Sequence, residues 1–321
     1  MRAPSGYTLI ELLIALGLGL LLTLLAGSLL QAVASNYRHH SESAWLDDSG
    51  RYALDIMAQG IRQGAYVNWD STAAPPAFDG AAPPAVMGLD AASISKSSEG
   101  IEAPLAAVAH GSDVLALRFA GHGAGASGDG SSVNCGGFGV PAPVDAAAYA
   151  DHGWSIFYVA QDDGGQAELR CKYRGSGNWG ADAIVRGVES FQVLYGLDTD
   201  IPADGVPNRY LNATALRTLD NALVVAGATP QAQLADWQRQ THWKRVCSIK
   251  LALLLRGDAS TRADQAPARY DLFGRSYSDS HGNDLGVLVR EQALPAPERW
   301  RARRQFNLTV ALRNHSPPGD T

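Results

Sequence analysis

Charge is absent from one long stretch of this chain: no Asp, Glu, Lys or Arg occurs between residues 12 and 37. Read as a helix rising about 1.5 Å per residue, the segment LLIALGLGLLLTLLAGSLL within it is long enough to cross a hydrocarbon core of roughly 30 Å. Basic residues are in deficit over the whole chain, with 26 Lys and Arg against 32 Asp and Glu and a net charge of -6. They are scattered rather than gathered in a stripe, so nucleic acid is not expected as a direct partner. Cysteine is scarce: Cys135, Cys171 and Cys247 include no C-x2-C pair, which argues against a zinc site, while two of them could form one disulfide in an oxidising compartment. A G-x-S-x-G elbow, an H-E-x-x-H helix and a Cys-His signature are also missing, and without them neither catalysis nor a cofactor is expected. What is present, 321 residues of which 46% are hydrophobic and 18% charged, suffices to bury at least one full core.

The flanks of the apolar run decide its type. A secretory signal carries a shorter apolar region followed by its cleavage site, whereas here the leader-like piece, residues 1–6, comes before the run. Arg2, the single charge in that piece, favours a cytoplasmic N-terminus and a periplasmic remainder. Glu11 stands where the run begins. A carboxylate there is expensive to bury and needs a partner.

At this junction the sequence resembles a known family. Gly6 followed by Tyr7-Thr8-Leu9-Ile10-Glu11-Leu12-Leu13 is similar to the class III leader junction of type IV pilins and type II secretion pseudopilins. The resemblance implies that prepilin peptidase cuts after Gly6, that Tyr7 becomes the N-methylated first residue, and that Glu11 is the acidic fifth residue of the mature chain. Tyr7 stands where family members usually have Phe. The physics fits, because a carboxylate at Glu11 could neutralise the terminal amine of a neighbouring subunit, sparing both charges an unpaired burial and setting subunit register. The family's common mid-helix proline is missing, with Ser28 at the equivalent position, so no kink is carried over.

Beyond the apolar run, Tyr37, Ala44, Trp45, Tyr52, Ile56 and Met57 recur at near-helical spacing. One helix over 7–64 is expected, with a membrane part over about 12–34, although Gly50 and Gly60 weaken an unbroken rod. Residues 68–104 are rich in Ala, Pro, Gly and Ser and read as a surface loop. Strand-like runs follow at 113–119, 154–160, 168–173, 190–197, 246–256 and 306–313. No helical patterns alternate with them, so an antiparallel sheet is favoured over a parallel one. A short helix is expected over 230–240, with Thr229 as N-cap and Pro230 at its first position.

Several of these strands carry a narrower resemblance. Trp154-Ser155-Ile156-Phe157-Tyr158-Val159-Ala160, Leu169-Arg170-Cys171, Val188-Glu189-Ser190-Phe191-Gln192-Val193-Leu194-Tyr195-Gly196 and the closing Arg304-Gln305-Phe306-Asn307-Leu308-Thr309-Val310-Ala311-Leu312-Arg313-Asn314 look like PilW-type minor pilins.

Other motifs have plainer readings. A bridge between Cys135 and Cys171 would close a loop of about 36 residues and contribute roughly 3 to 4 kcal/mol. Cys247 reads as a small buried hydrophobe, but sequence alone does not decide the connectivity. Asp198, Asp200 and Asp204 sit at short spacing, yet Pro202, Ala203 and Arg209 break the EF-hand pattern. A solvated turn is the simpler account, and a looser calcium site is the alternative. Residues 123–128 match G-x-G-x-x-G but lead into no apolar helix, so a flexible loop is expected rather than a nucleotide site. His39 and His40 lack a third ligand at metal spacing and read as solvated surface.

The expectation is therefore an α+β chain of pilin-like fold, a long N-terminal helix packed on an antiparallel sheet. It has a leader at 1–6, the helix at 7–64 and a periplasmic β-rich domain over 65–321 with a loop-rich part at 68–150. By resemblance it is a single-pass inner-membrane protein that helps initiate or cap pilus filaments. Its implied partners are prepilin peptidase, other minor pilins, the major pilin and a tip adhesin. The alternatives are a J-type pseudopilin of type II secretion and a membrane-tethered periplasmic binding protein or enzyme.

Overall fold

The computed structural model describes residues 6, 8–67, 82–144, 149–175, 177–258 and 266–314. Helix α1 (Leu9–Gln63) is continuous. Thr8 is extended, at φ -79° and ψ 152°, and caps it, so the helix begins later than the expected 7–64; Tyr7 lies outside the described residues. At the other end the Gly64 N–H donates to the carbonyls of Gly60 (2.9 Å) and Ile61 (3.1 Å). The Asn314 side chain donates to the Arg62 and Gly64 carbonyls at 3.1 and 3.3 Å, satisfying groups that a helix end leaves open.

The buried residues of α1 all lie in its C-terminal part: Leu46, Gly50, Ala53, Met57, Ala58, Gly60 and Ile61, spaced to make one face. Gly50 and Gly60, weak points on propensity, are where the helix comes closest to the strands. A Cβ on Gly50 would stand 2.2 Å from the Phe306 ring, and one on Gly60 would stand 3.2 Å from that of Phe157. Close packing outweighs the helical cost of about 1 kcal/mol per glycine.

In chain order the strands are β1 (Val86–Leu89), β2 (Ala92–Ile94), β3 (Pro104–Ala106), β4 (Val114–Phe119), β5 (Gly153–Gln161), β6 (Ala167–Arg174), β7 (Trp179–Arg186), β8 (Val188–Leu197), β9 (Arg209–Leu211), β10 (Val246–Arg256), β11 (Arg269–Asp271), β12 (Leu288–Arg290) and β13 (Arg303–Ala311). One sheet has the order β1-β4-β5-β6-β7 and a second β13-β10-β8-β9, while β2–β3 and β11–β12 form two-stranded pairs. The neighbours are antiparallel throughout.

Strand β10 shows why its sequence is an unbroken apolar run. Ile249, Leu251, Leu253 and Leu255 join the α1 face, Phe157 and Phe191 in the main core. Ala252 and Leu254, on the opposite side, pack with Leu272, Val289 and Leu294 around the β11–β12 pair. A strand covered on both faces has no polar side to show.

The six expected strands appear as β4, β5, β6, β8, β10 and β13. The reading of 68–104 as surface loop needs correction within its described part, 82–104, which contains β1 and β2 and buries Val86, Ala92, Ile94 and Ile101. Strands of three or four residues are too short to show a period. Helix α2 (Ala213–Asn221) precedes α3 (Pro230–Gln240), which matches the expected helix. Its cap Thr229 accepts from the Ala232 N–H at 3.2 Å. A last short helix, α4 (Arg275–Ser280), precedes β12.

One polar network crosses the second sheet. Glu189 of β8 pairs with Arg303 of β13 at 3.1 Å and Arg256 of β10 at 3.3 Å, and Arg303 also reaches Glu291 at 3.3 Å. The Arg303 and Glu189 side chains are 0% and 1% exposed.

Candidate functional site

Among the described residues nothing packs against the N-terminal half of α1. Leu9, Ile10, Leu12, Leu13, Ile14 and the leucines that follow to Leu30 are exposed on every side, as are Val33 and Tyr37. A helix that is apolar all round and uncovered is suited to lipid or to other helices. Ser28 and Thr23 do not break this surface, because their hydroxyls donate to the Leu25 and Leu20 carbonyls, each at 2.8 Å.

At its tip Thr8 and Glu11 form a capping box. The Thr8 N–H and hydroxyl both donate to Glu11 Oε2, at 2.8 and 2.9 Å, and Thr8 Oγ1 accepts from the Glu11 N–H at 3.4 Å. The S/T-x-x-E signal for this box stands in the sequence, but the sequence reading gave Glu11 only an intermolecular partner. Of the expected processing residues, Gly6 is exposed and Tyr7 is outside the described residues. His40 is exposed and His39 partly covered, and among the described residues neither joins a metal-compatible group.

Farther along the chain, Cys135 and Cys171 form a disulfide with their Cα atoms 5.9 Å apart. Cys247 is a buried free thiol. Asp198, Asp200 and Asp204 do meet, with carboxylate oxygens within 4.8 Å of one another. Asp198 already accepts from the backbone N–H groups of Asp200 and Gly205 at 3.0 and 2.7 Å, and Asp204 from that of Val206 at 2.8 Å. These bonds close the turn without a cation. Bound through one oxygen each, three carboxylates would supply half or fewer of the roughly six to eight oxygens calcium takes. The glycine-rich segment 123–128 forms a turn in which Gly128 N–H donates to Gly125 O at 3.2 Å, and no α-helix follows it before β5 among the described residues.

Comparison with known proteins bears on both ends of the chain. Residues 156–314 match the family model for type IV pilus-assembly protein W, and residues 1–27 match the prokaryotic N-terminal methylation motif. No curated protein matches the sequence. A type IV-like pilin from Thermus thermophilus aligns with 84% of this chain and 97% of its own, at 14% identity and a TM-score of 0.39, a likeness too distant to carry weight. The methylation motif at its start and the match over residues 156–314 make this chain similar at both ends to the PilW family of type IV pilus-assembly proteins.

Proposed function

We propose that the chain is a minor pilin, held in the bacterial inner membrane by the apolar half of α1 with its β-rich domain in the periplasm, and drawn from there into the filament. Prepilin peptidase removes residues 1–6 after Gly6 and methylates Tyr7. In the membrane the apolar half of α1 is surrounded by lipid. In the filament it packs against the helices of other minor pilins and the major pilin, where the subunit initiates or caps the fibre. Because lipid tails are as apolar as leucine, the transfer depends on packing and on pairing of Glu11 with a neighbour's amine more than on expulsion from water.

The observation that carries this reading is the bare apolar half of α1, which begins within a methylation motif and is headed by a carboxylate. A J-type pseudopilin of type II secretion would share that helix, and the match to the pilus-assembly family over residues 156–314 favours the pilus. Glu11→Ala tests assembly against simple tethering. The variant should still reach the membrane but no longer co-purify with sheared filaments. Normal filament recovery would leave α1 as an anchor only.

A further inference from the structure

Strand β13 runs alongside α1 in the same direction. Arg304 binds Asp47 at 3.0 Å and Ser43 at 3.1 Å, Phe306 lies on Gly50, Leu312 packs against Gly64, and Asn314 reaches Arg62. The chain just before β13 therefore sits at the end of the domain nearest the apolar half of α1. Two contacts fix it there: the Ala302 carbonyl accepts from the Gly257 N–H at 2.8 Å, and a Cβ on Gly257 would fall on the Glu42 carboxylate.

The uncharged stretch of α1 ends at Tyr37, and Arg38 to Glu42 adds only about 6 Å of helix. A bilayer's polar region adds roughly 5 to 7 Å beyond each side of its hydrocarbon core. Given the membrane anchoring proposed above, on which this inference rests, the floor of the domain lies within about one Debye length of the headgroups.

The segment at that floor, 294–302, has the chemistry of an interface. Arg299 and Arg301 donate to the backbone carbonyls of Leu294 (2.8 Å), Gln292 (3.0 Å) and Pro297 (3.3 Å). Neither forms an ion pair with a described residue. Between them Trp300 is turned by a left-handed backbone, φ 64°. Arg38, on the helix below, is exposed and donates to the Ala34 carbonyl. Glu291 nearby is taken up by Arg303, leaving Glu298 as the carboxylate within the segment. Guanidinium groups flanking a tryptophan at headgroup height match an anionic lipid surface.

We infer that residues 294–302, together with Arg38, dock the pilin domain on anionic phospholipid headgroups while the subunit waits in the membrane, fixing its tilt before extraction. The test uses the full chain in nanodiscs of phosphatidylcholine alone and of phosphatidylcholine with phosphatidylglycerol, followed by hydrogen–deuterium exchange. Exchange of 294–302 should slow about fivefold on adding the anionic lipid. The protection should disappear in high salt and in Arg301→Glu. Arg301 is the residue to change because Arg299 also holds two loop carbonyls. Equal exchange in both lipids with α1 protected overturns the docking and leaves the anchoring intact, as does protection that appears only when another pilin is added. Exchange along the apolar half of α1 as fast as in water would overturn both.

Discussion

Thr8 and Glu11 hold each other in both directions, the carboxylate accepting two bonds from Thr8 and the Thr8 hydroxyl oxygen accepting one in return. Glu11 is thus oriented by its own chain before any neighbour arrives. Thr8→Val removes the hydroxyl and keeps the backbone bond. Loss of such a cap costs about 0.5 to 2 kcal/mol at a helix start, so filament incorporation of the variant should fall below wild type but stay above that of Glu11→Ala. Quantitative mass spectrometry of sheared pili reads the order, and equal incorporation of Thr8→Val and wild type would remove any role for the cap.

Gly50 lies against Phe306, and this contact reverses the usual helix preference. Alanine for glycine in a helix gains about 1 kcal/mol, whereas forcing a methyl into the ring costs about 1 to 3 kcal/mol. Gly50→Ala should therefore lower the urea midpoint of the detergent-solubilised chain. Gly60→Ala, with its Cβ 3.2 Å from Phe157, should change it less. In a Phe306→Ala background Gly50→Ala should become neutral or stabilising; destabilisation there equal to that in the wild type would locate the strain elsewhere.

Arg303 and Glu189 come from strands far apart in sequence and are buried together. Removing one leaves the other with a single counter-charge, Arg303 on Glu291 or Glu189 on Arg256, and unbalances a buried network, at up to about 3 to 5 kcal/mol. Glu189→Ala and Arg303→Ala should each destabilise by that order, and the double variant by less than their sum, as a double-mutant cycle would show.

Acid should favour one side of the fold. Asp113 is buried, accepting N–H bonds from Ala91 and Val193 at 3.0 and 2.9 Å, and Asp284 is buried with the Tyr277 hydroxyl donating to it at 2.9 Å. Burial first, then neighbouring carboxylates including Asp90, pushes both above the ordinary carboxylate range. A group raised on folding contributes stability that is full below its unfolded value and lost as pH climbs through the folded one. His152, held down to about 4 by burial and by Arg118, acts in the opposite sense below about pH 6.5. The carboxyl effect is therefore read as a difference between chains. Asp284→Asn should gain on wild type in urea midpoint as pH rises from below about 4, the unfolded carboxylate value, through the folded one, and a constant gap over that whole rise would show that Asp284 is not raised.

What the sequence disclosed follows from how local each signal is. The apolar run, Glu11 and the methylation junction are contiguous, and β4, β5, β6, β8, β10 and β13 are long apolar stretches that stand out unaided. Strand β7 escaped because Trp179–Arg186 mixes apolar residues with Gly180, Asp182 and Arg186 and buries only Val185. The short strands β1 and β2 disappear among Ala, Gly and Ser. The Glu189–Arg303 pair, separated by 114 positions, has no local trace, since only the pairing of β8, β10 and β13 brings it together. Likewise the basic segment before β13 is ordinary as sequence and acquires a direction only once β13 is laid along α1.

Entry of this chain into the pilin pathway depends on its N-terminal junction. Intact mass and N-terminal sequencing of the chain from bacterial membranes, with and without prepilin peptidase, test it most directly. The expected result is a chain beginning at N-methylated Tyr7 when the peptidase is present and an unprocessed chain when it is absent. A start at Met1 in both, or a cut beyond Ser28, would contradict it.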